Sequence, residues 1–219
     1  MKAKHPAKFT DSFLPIFSEL LQNTSNVIDP MAGTGKIGLI KEHGYKGVVY
    51  ANDLEFEWIS QAKDNGCDVF SMFDAAKMDY QNESFDAICT SPTYGNRMAD
   101  SHNARDSSTR NTYTHTLGRK LHEENTGKMQ WGEKYRVKHT EIYVELRRIL
   151  KTNGIFILNV KDHIRKGEII QVSDFHRNLI EKNGFTVEQH IEVPVRGMRF
   201  GENGKVRVKY ENIYVFRKM

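Results

Sequence analysis

The chain has 219 residues, with 32 Lys and Arg against 28 Asp and Glu for a net charge of +4, and it is 38% hydrophobic and 27% charged. That length fits one domain spanning 1–219 and leaves little room for a separate folded recognition domain, so catalysis and target recognition are expected on one scaffold. The balance is that of an ordinary globular chain: no apolar run reaches bilayer length, and the small excess of basic residues accommodates a polyanionic partner without demonstrating one. The opening residues Met1 to Pro6 are basic and lack the apolar stretch of a secretory signal, which predicts a cytoplasmic protein. Cys67 and Cys89, a single pair without repeating spacing, read as free buried thiols.

Phe13, Leu14, Phe17, Leu20 and Leu21 recur at helical spacing and predict a helix, capped at Asp11 or Ser12 and tolerating Pro15 in its first turn. A short strand at 26–29 then runs into the turn Asp29-Pro30-Met31-Ala32-Gly33-Thr34-Gly35, followed by a predicted helix over 36–42 that stops at His43-Gly44. Strands follow at 47–52, 68–70 and 85–91, with a helix over 55–64 between the first two of these. A long amphipathic helix over 133–150 feeds a strand at 155–160, and a further helix over 173–182 ends at Asn183-Gly184. The last two strand segments, 185–193 and 206–216, have no helix between them and should pair as an antiparallel hairpin. The expectation is an α/β, Rossmann-like fold: a seven-stranded, mostly parallel sheet covered on both faces, with a C-terminal antiparallel hairpin. The weakly periodic segment 95–132 is set apart as an insertion, and a stretch of that length inside a compact domain is functional or disordered.

The turn at 29–35 lies where an open α/β sheet binds a nucleoside cofactor, at the carboxyl ends of its strands, and its glycines permit close backbone approach. A plain tight connection would use similar residues. Asp53, at the end of the second strand, adds a carboxylate placed to accept from both ribose hydroxyls, with Glu55 as the alternative if that strand ends later. Lys36 follows the last glycine, but Ile37 stands where a triphosphate cradle needs a hydroxyl, so the pocket is for a nucleoside. Asp74 is placed either to accept from an adenine amino group or to stand in solvent.

Thr90-Ser91-Pro92-Thr93-Tyr94-Gly95-Asn96-Arg97 follows the fourth strand, beside the cofactor turn. Together with 29–35 it resembles the amino-methyltransferases of nucleic acids, in which a D-P-x-x-G-x-G turn is paired with an (S/D/N)-P-P-(Y/F/W) loop. His5-Pro6-Ala7-Lys8-Phe9 resembles the family's third element, H-P-A-x-F, and the element order over the whole chain resembles the small phage-borne and orphan DNA enzymes. The resemblance implies S-adenosylmethionine as cofactor, held by His5, Pro6, Phe9, Asp29, Pro30, Met31, Gly33, Gly35, Asp53 and Asp74. It further implies transfer to an exocyclic amino nitrogen by Ser91, Pro92 and Tyr94. The loop departs from the pattern at Thr93, where the family has a second proline.

An exocyclic amine is a poor nucleophile because its lone pair is delocalised, so the site must accept hydrogen bonds from its hydrogens and let the nitrogen pyramidalise. Ser91 Oγ and the Pro92 carbonyl are placed as those acceptors, and Tyr94 would stack on a base swung out of its helix, worth about 1–3 kcal/mol. Methylation at a ring carbon would need a cysteine nucleophile in the loop, and Cys89 precedes it on the strand. Serine at position 91 leans toward cytosine N4 over adenine N6. Arg97, Arg105, Arg110 and Arg119, interleaved with Tyr113, His115 and Trp131, and Arg196 and Arg199 in the hairpin connection, are candidate nucleic-acid contacts, with a solvated charged surface as the alternative. No His or Cys spacing supports a metal site. The expected partner is DNA; the competing readings are an RNA base methyltransferase and an inactive nucleic-acid-binding protein of the same fold.

Overall fold

The structure, a computed structural model, describes residues 5–7, 10–99, 111–195 and 206–219. Helix α1 (Phe13–Leu21) buries Phe13, Leu14, Phe17 and Leu21, the stripe predicted by their spacing. Strand β1 (Asn26–Asp29) leads through a 3₁₀ helix (Lys36–His43) to β2 (Val48–Asn52), α2 (Phe56–Ile59), β3 (Val69–Ser71) and β4 (Phe85–Thr90). After α3 (Tyr113–Leu117) come α4 (Glu133–Ile149), β5 (Leu150–Val160), a ribbon of β6 (His163–Arg165) and β7 (Glu168–Ile170), α5 (Val172–Lys182), β8 (Phe185–Pro194) and β9 (Tyr210–Lys218).

One seven-stranded sheet has the order β3-β2-β1-β4-β5-β9-β8. Its first five strands are parallel, and β9 lies antiparallel between β5 and β8. Strand side chains alternate between two faces, and the core divides accordingly. Val27, Ala87, Ile157 and Ile213 join Phe13, Phe17, Ile37 and Ile40 on one face, while Ile28, Ile88, Phe156, Leu158 and Phe216 join Ile142, Leu146 and Ile180 on the other. Both faces are therefore apolar, as a parallel sheet covered by helices requires. Cys67 and Cys89 are buried and free. The sheet is built outward from β1 to β3 and then restarts at β4 on the other side of β1, so the order reverses between β1 and β4. The crevice at such a reversal, outside the carboxyl ends of the strands, is where these sheets bind ligands. Asp29 ends β1 and Thr90 ends β4, so both diagnostic segments begin there.

The predicted helices at 36–42 and 55–64 are corrected. The first is a 3₁₀ helix containing Gly38, where a Cβ would lie 2.3 Å from the Asn65 carbonyl oxygen. Close apposition to the 62–67 segment, together with glycine's poor helix propensity, displaces the regular α form. The second is helical only over Phe56–Ile59, after which turns close through Gln61 N to Trp58 O (3.0 Å) and Ala62 N to Ile59 O (2.9 Å). The strand predicted at 155–160 begins at Leu150, and the final strand begins at Tyr210, later than 206. The β6–β7 ribbon was not anticipated, its strands being three residues each. Within 95–132 the described residues hold short helical turns at Arg97–Ala99, Tyr113–Leu117 and Thr126–Lys128. No helix among the described residues is long and apolar enough to cross a membrane.

Candidate active site

The turn after β1 is shaped by backbone that only glycine adopts cheaply. Gly33 and Gly35 have φ of +55° and +73°, and a Cβ on Gly35 would sit 2.6 Å from that of Ala62. A Cβ on Gly33 would meet the His5 imidazole at 3.0 Å, so His5 lies directly over the turn. Its ring stands edge-on to Trp58, with centroids 4.3 Å apart. His5 thus covers Gly33 from outside the turn and Pro6 lines the cavity beside it, while Phe9 lies outside the described residues.

Asp53 is hydrogen-bonded to the same turn: its Oδ2 accepts from Gly33 N (2.8 Å) and its Oδ1 from Glu55 N (2.9 Å). Burial pushes its carboxyl up to about 6, against the pull of these bonds and with the Glu55 charge adding to the rise. Glu55, the alternative acid, is turned away: it accepts from His122 N (2.7 Å) and Asn125 Nδ2 (2.9 Å) and pairs with Arg119 (2.8 Å). It anchors the insertion, and Asp53 lines the cavity. Asp74 also lines it, accepting from Ala76 N (3.0 Å) and from the buried ammonium of Lys138 (2.6 Å), which in turn reaches Glu124 (2.5 Å).

Asp29 accepts from Thr90 Oγ1 (2.7 Å) and Met31 N (3.1 Å), joining the ends of β1 and β4. Burial pushes its carboxyl up to about 7, against those two bonds, with the Asp53 charge acting in the same direction as burial. An unfolded carboxyl ionises near 3.8, so between about pH 4 and 7 the fold keeps a proton that the unfolded chain has lost. The Asp29 contribution is therefore greatest in acid and is lost as pH rises through 7. Asparagine keeps an acceptor for Thr90 and Met31 without the ionisation cost. In the ligand-free protein, Asp29→Asn should melt close to wild type near pH 4 and progressively above it toward pH 8, by roughly 2–4 °C per kcal/mol of that cost. A difference that stays flat across this range would contradict the raised carboxyl.

The loop after β4 is clamped from behind. Thr93 Oγ1 donates to Thr126 Oγ1 (3.0 Å), and the Thr93 carbonyl accepts from the Tyr135 hydroxyl. Since that hydroxyl's single proton goes to Thr93, Tyr135 accepts from His176 Nε2 (2.8 Å), and His176 Nδ1 accepts from the Tyr143 hydroxyl (2.6 Å). Burial drives the His176 pKa well down, which keeps the ring neutral as this sequence of bonds requires. A threonine hydroxyl and a buried relay thus restrain the loop where the family pattern has a second proline. Gly95, with φ +63°, bonds through its carbonyl to Trp131 N (2.9 Å), so the two ends of the insertion are held together.

In front of the loop, Ser91 Oγ is 3.0 Å from the Tyr94 hydroxyl, which donates to Glu211 Oε1 at 3.4 Å. Asn159 Nδ2 donates to the same oxygen at 3.0 Å. Glu211 was not among the sequence candidates; its signal, a buried acid near the start of β9, gains meaning only from its pairing. Lys161, Asp162 and His163 line the cavity, and Asp162 caps α5 by accepting from Ser173 N (2.8 Å).

A single cavity of about 790 Å³ joins these parts, bounded by His5, Pro6, Asp29, Pro30, Met31, Asp53 and Asp74 on one side and by Ser91, Pro92, Tyr94 and Glu211 on the other. Its size falls within the range of about 300–1,000 Å³ usual for small-molecule sites. Gly33 and Gly35 shape its floor through the backbone rather than lining it. Of the candidate nucleic-acid contacts, Arg119 is spent on Glu55 (2.8 Å) and Glu57 (2.6 Å), which holds the insertion against α2. Arg97 begins a 3₁₀ turn beside the loop, and Arg105, Arg110, Arg196 and Arg199 lie outside the described residues. Among the described residues no group of three or more His, Cys, Asp or Glu side chains is disposed to hold a metal ion.

No family model and no curated protein matches the chain. Solved structures do resemble it. A SAM-dependent methyltransferase from Methanosarcina mazei superposes with a TM-score of 0.59 at 14% identity, covering 94% of this chain and 97% of its own. A TehB-like SAM-dependent methyltransferase from Corynebacterium glutamicum superposes at 0.54 and 15% identity, over 94% and 87%. The [4+2]-cyclase SpnF superposes at 0.62 and 14% identity, over 95% and 80%. The fold is therefore the Rossmann-like methyltransferase fold. One scaffold here carries differently named activities, so chemistry has to be argued from the site.

Proposed function

We propose that the chain is an S-adenosylmethionine-dependent methyltransferase acting on an exocyclic amino nitrogen of a nucleic-acid base, with DNA as the substrate and cytosine N4 ahead of adenine N6. The observation that carries this reading is the single cavity in which the turn at 29–35 and Asp53 face the Ser91–Pro92–Thr93–Tyr94 loop. The residues fit the cofactor: Asp53 retains lone pairs for two ribose hydroxyls, the left-handed glycines let the backbone approach closely, and His5 closes over Gly33. When bound, the cofactor would supply a sulfonium methyl that an amine nitrogen takes in line as the S–C bond breaks, with the thioether as leaving group and one amine proton released to solvent.

Ser91 Oγ and the Pro92 carbonyl accept from the two amine hydrogens, drawing the lone pair out of conjugation, and the Tyr94 ring gives the extruded base a stacking surface. No covalent intermediate is needed, in keeping with Cys89, which is buried in the sheet with its thiol pKa raised well above the ordinary value by desolvation. Tyr113, Asn125 and Thr126 of the insertion line the cavity, which supports a role for the insertion in engaging the substrate.

The test is transfer of labelled methyl from S-adenosylmethionine to duplex DNA, single-stranded DNA and total RNA, followed by nucleoside mass spectrometry. A methylated amine in DNA identifies both substrate and base. Label in RNA alone would replace DNA by RNA, and cofactor binding without transfer to any of the three would overturn the enzymatic reading in favour of a binding protein of this fold.

A further inference from the structure

A serine hydroxyl can point its proton either way, whereas the proposed reaction needs it as an acceptor. We infer that Glu211 sets the direction of the hydrogen-bond chain running through Tyr94 to Ser91, and so keeps Ser91 Oγ open toward the substrate amine; this rests on the amine-methylation reading. A carboxylate has no proton to give, so both of its neighbours must donate to it. Asn159 Nδ2 does so at 3.0 Å and the Tyr94 hydroxyl at 3.4 Å.

Tyr94 has one hydroxyl proton, and Glu211 takes it. The 3.0 Å contact between Tyr94 and Ser91 must then be a donation from Ser91. The Ser91 proton is turned away from the incoming base, leaving the oxygen lone pairs for the amine hydrogens. Without the carboxylate the chain can run backwards, setting the Ser91 proton against the N–H groups of the substrate, an opposition of two donors. Three features support a built arrangement: Ser91, Tyr94 and Glu211 all line the cavity, Glu211 is 8% exposed, and Asn159 is fully buried. Desolvation and the Glu211 charge both hold the Tyr94 pKa well above its ordinary value, so Tyr94 serves as a neutral donor throughout. The 3.4 Å leg is long, as such bonds often are before substrate binds, and it should tighten in the complex. Glu211 is accordingly a positioning residue.

Glu211→Gln, whose amide oxygen can still accept from both Tyr94 and Asn159, should keep the direction, whereas Glu211→Met keeps the length but removes the acceptor and frees the Tyr94 proton to turn toward Ser91, reversing the chain. The expected result for Glu211→Met is a kcat lower by roughly 10- to 100-fold on methylatable nucleic acid, with S-adenosylmethionine affinity unchanged within about twofold. In a Tyr94→Phe background the chain is already broken, so Glu211→Met should cost little more; losses that add in full would mark a merely structural role and overturn the proposal. A readout independent of substrate is the ¹³Cζ shift of Tyr94, assigned by its disappearance in Tyr94→Phe. It should move in Glu211→Met, and an unmoved signal overturns the proposal. If it moves while the wild-type protein methylates neither DNA nor RNA, the directed chain stands and the proposed reaction falls.

Discussion

Replacing Asp53 by alanine is expected to abolish useful cofactor binding while leaving the sheet intact. Hydrogen bonds to a charged acceptor are worth about 1.5–3 kcal/mol each, so losing two ribose contacts weakens S-adenosylmethionine by roughly 10²- to 10⁴-fold. The substitution also strips Gly33 N and Glu55 N of their partner, so the turn that faces the cofactor loosens in the same step. Asp53→Asn separates the two effects, since one amide oxygen still accepts from the turn but the charge is gone. Calorimetric titration with the cofactor measures both variants, and an alanine variant that binds within about threefold of wild type would remove Asp53 from the site. Glu55→Ala should behave differently. With its carboxylate committed to Arg119, His122 and Asn125, its loss should loosen the insertion before it touches the cofactor.

Ser91→Ala is expected to produce the largest loss in the chemical step. Its oxygen accepts where charge develops as the amine nitrogen is alkylated, and removing one such preorganised contact costs about 10²- to 10³-fold in kcat. The Ser91 hydroxyl bonds Tyr94 rather than the 29–35 turn, so cofactor affinity should be preserved, which distinguishes this variant from Asp53→Ala. Single-turnover transfer from labelled cofactor gives the rate directly. A rate unchanged from wild type would leave the Pro92 carbonyl as the sole acceptor and take Ser91 out of the mechanism. Ser91→Asp, an obligate acceptor, should no longer depend on Glu211 for its direction, whatever its absolute rate.

The motifs were legible because their chemistry is local. The Asp29–Gly35 turn needs left-handed residues at 33 and 35, and only glycine supplies them cheaply. The order of strands and helices followed from periodicity over a few residues, as did the apolar stripe of α1 and the terminal hairpin. Local patterns were less sufficient at 36–43 and 55–64, where packing against Asn65 and a run of tight turns overrode helical periodicity.

Sequence by itself determined the architecture and placed the glycine turn at 29–35 and the Ser91–Tyr94 loop side by side at the carboxyl ends of their strands. All of these depend on side-chain alternation and turn chemistry within short windows. Only the tertiary structure decided which acid faces the cavity, Asp53 rather than Glu55, and that Thr93 is restrained through Thr126 and Tyr135. It also decided that Arg119 is occupied by Glu55 and Glu57, and that Glu211 stands behind Tyr94. The last of these pairs is separated by 117 residues. Such contacts are fixed by where β9 inserts between β5 and β8 and how the insertion folds back on Gly95, geometry that depends on the packing of the whole sheet and leaves no period in the chain.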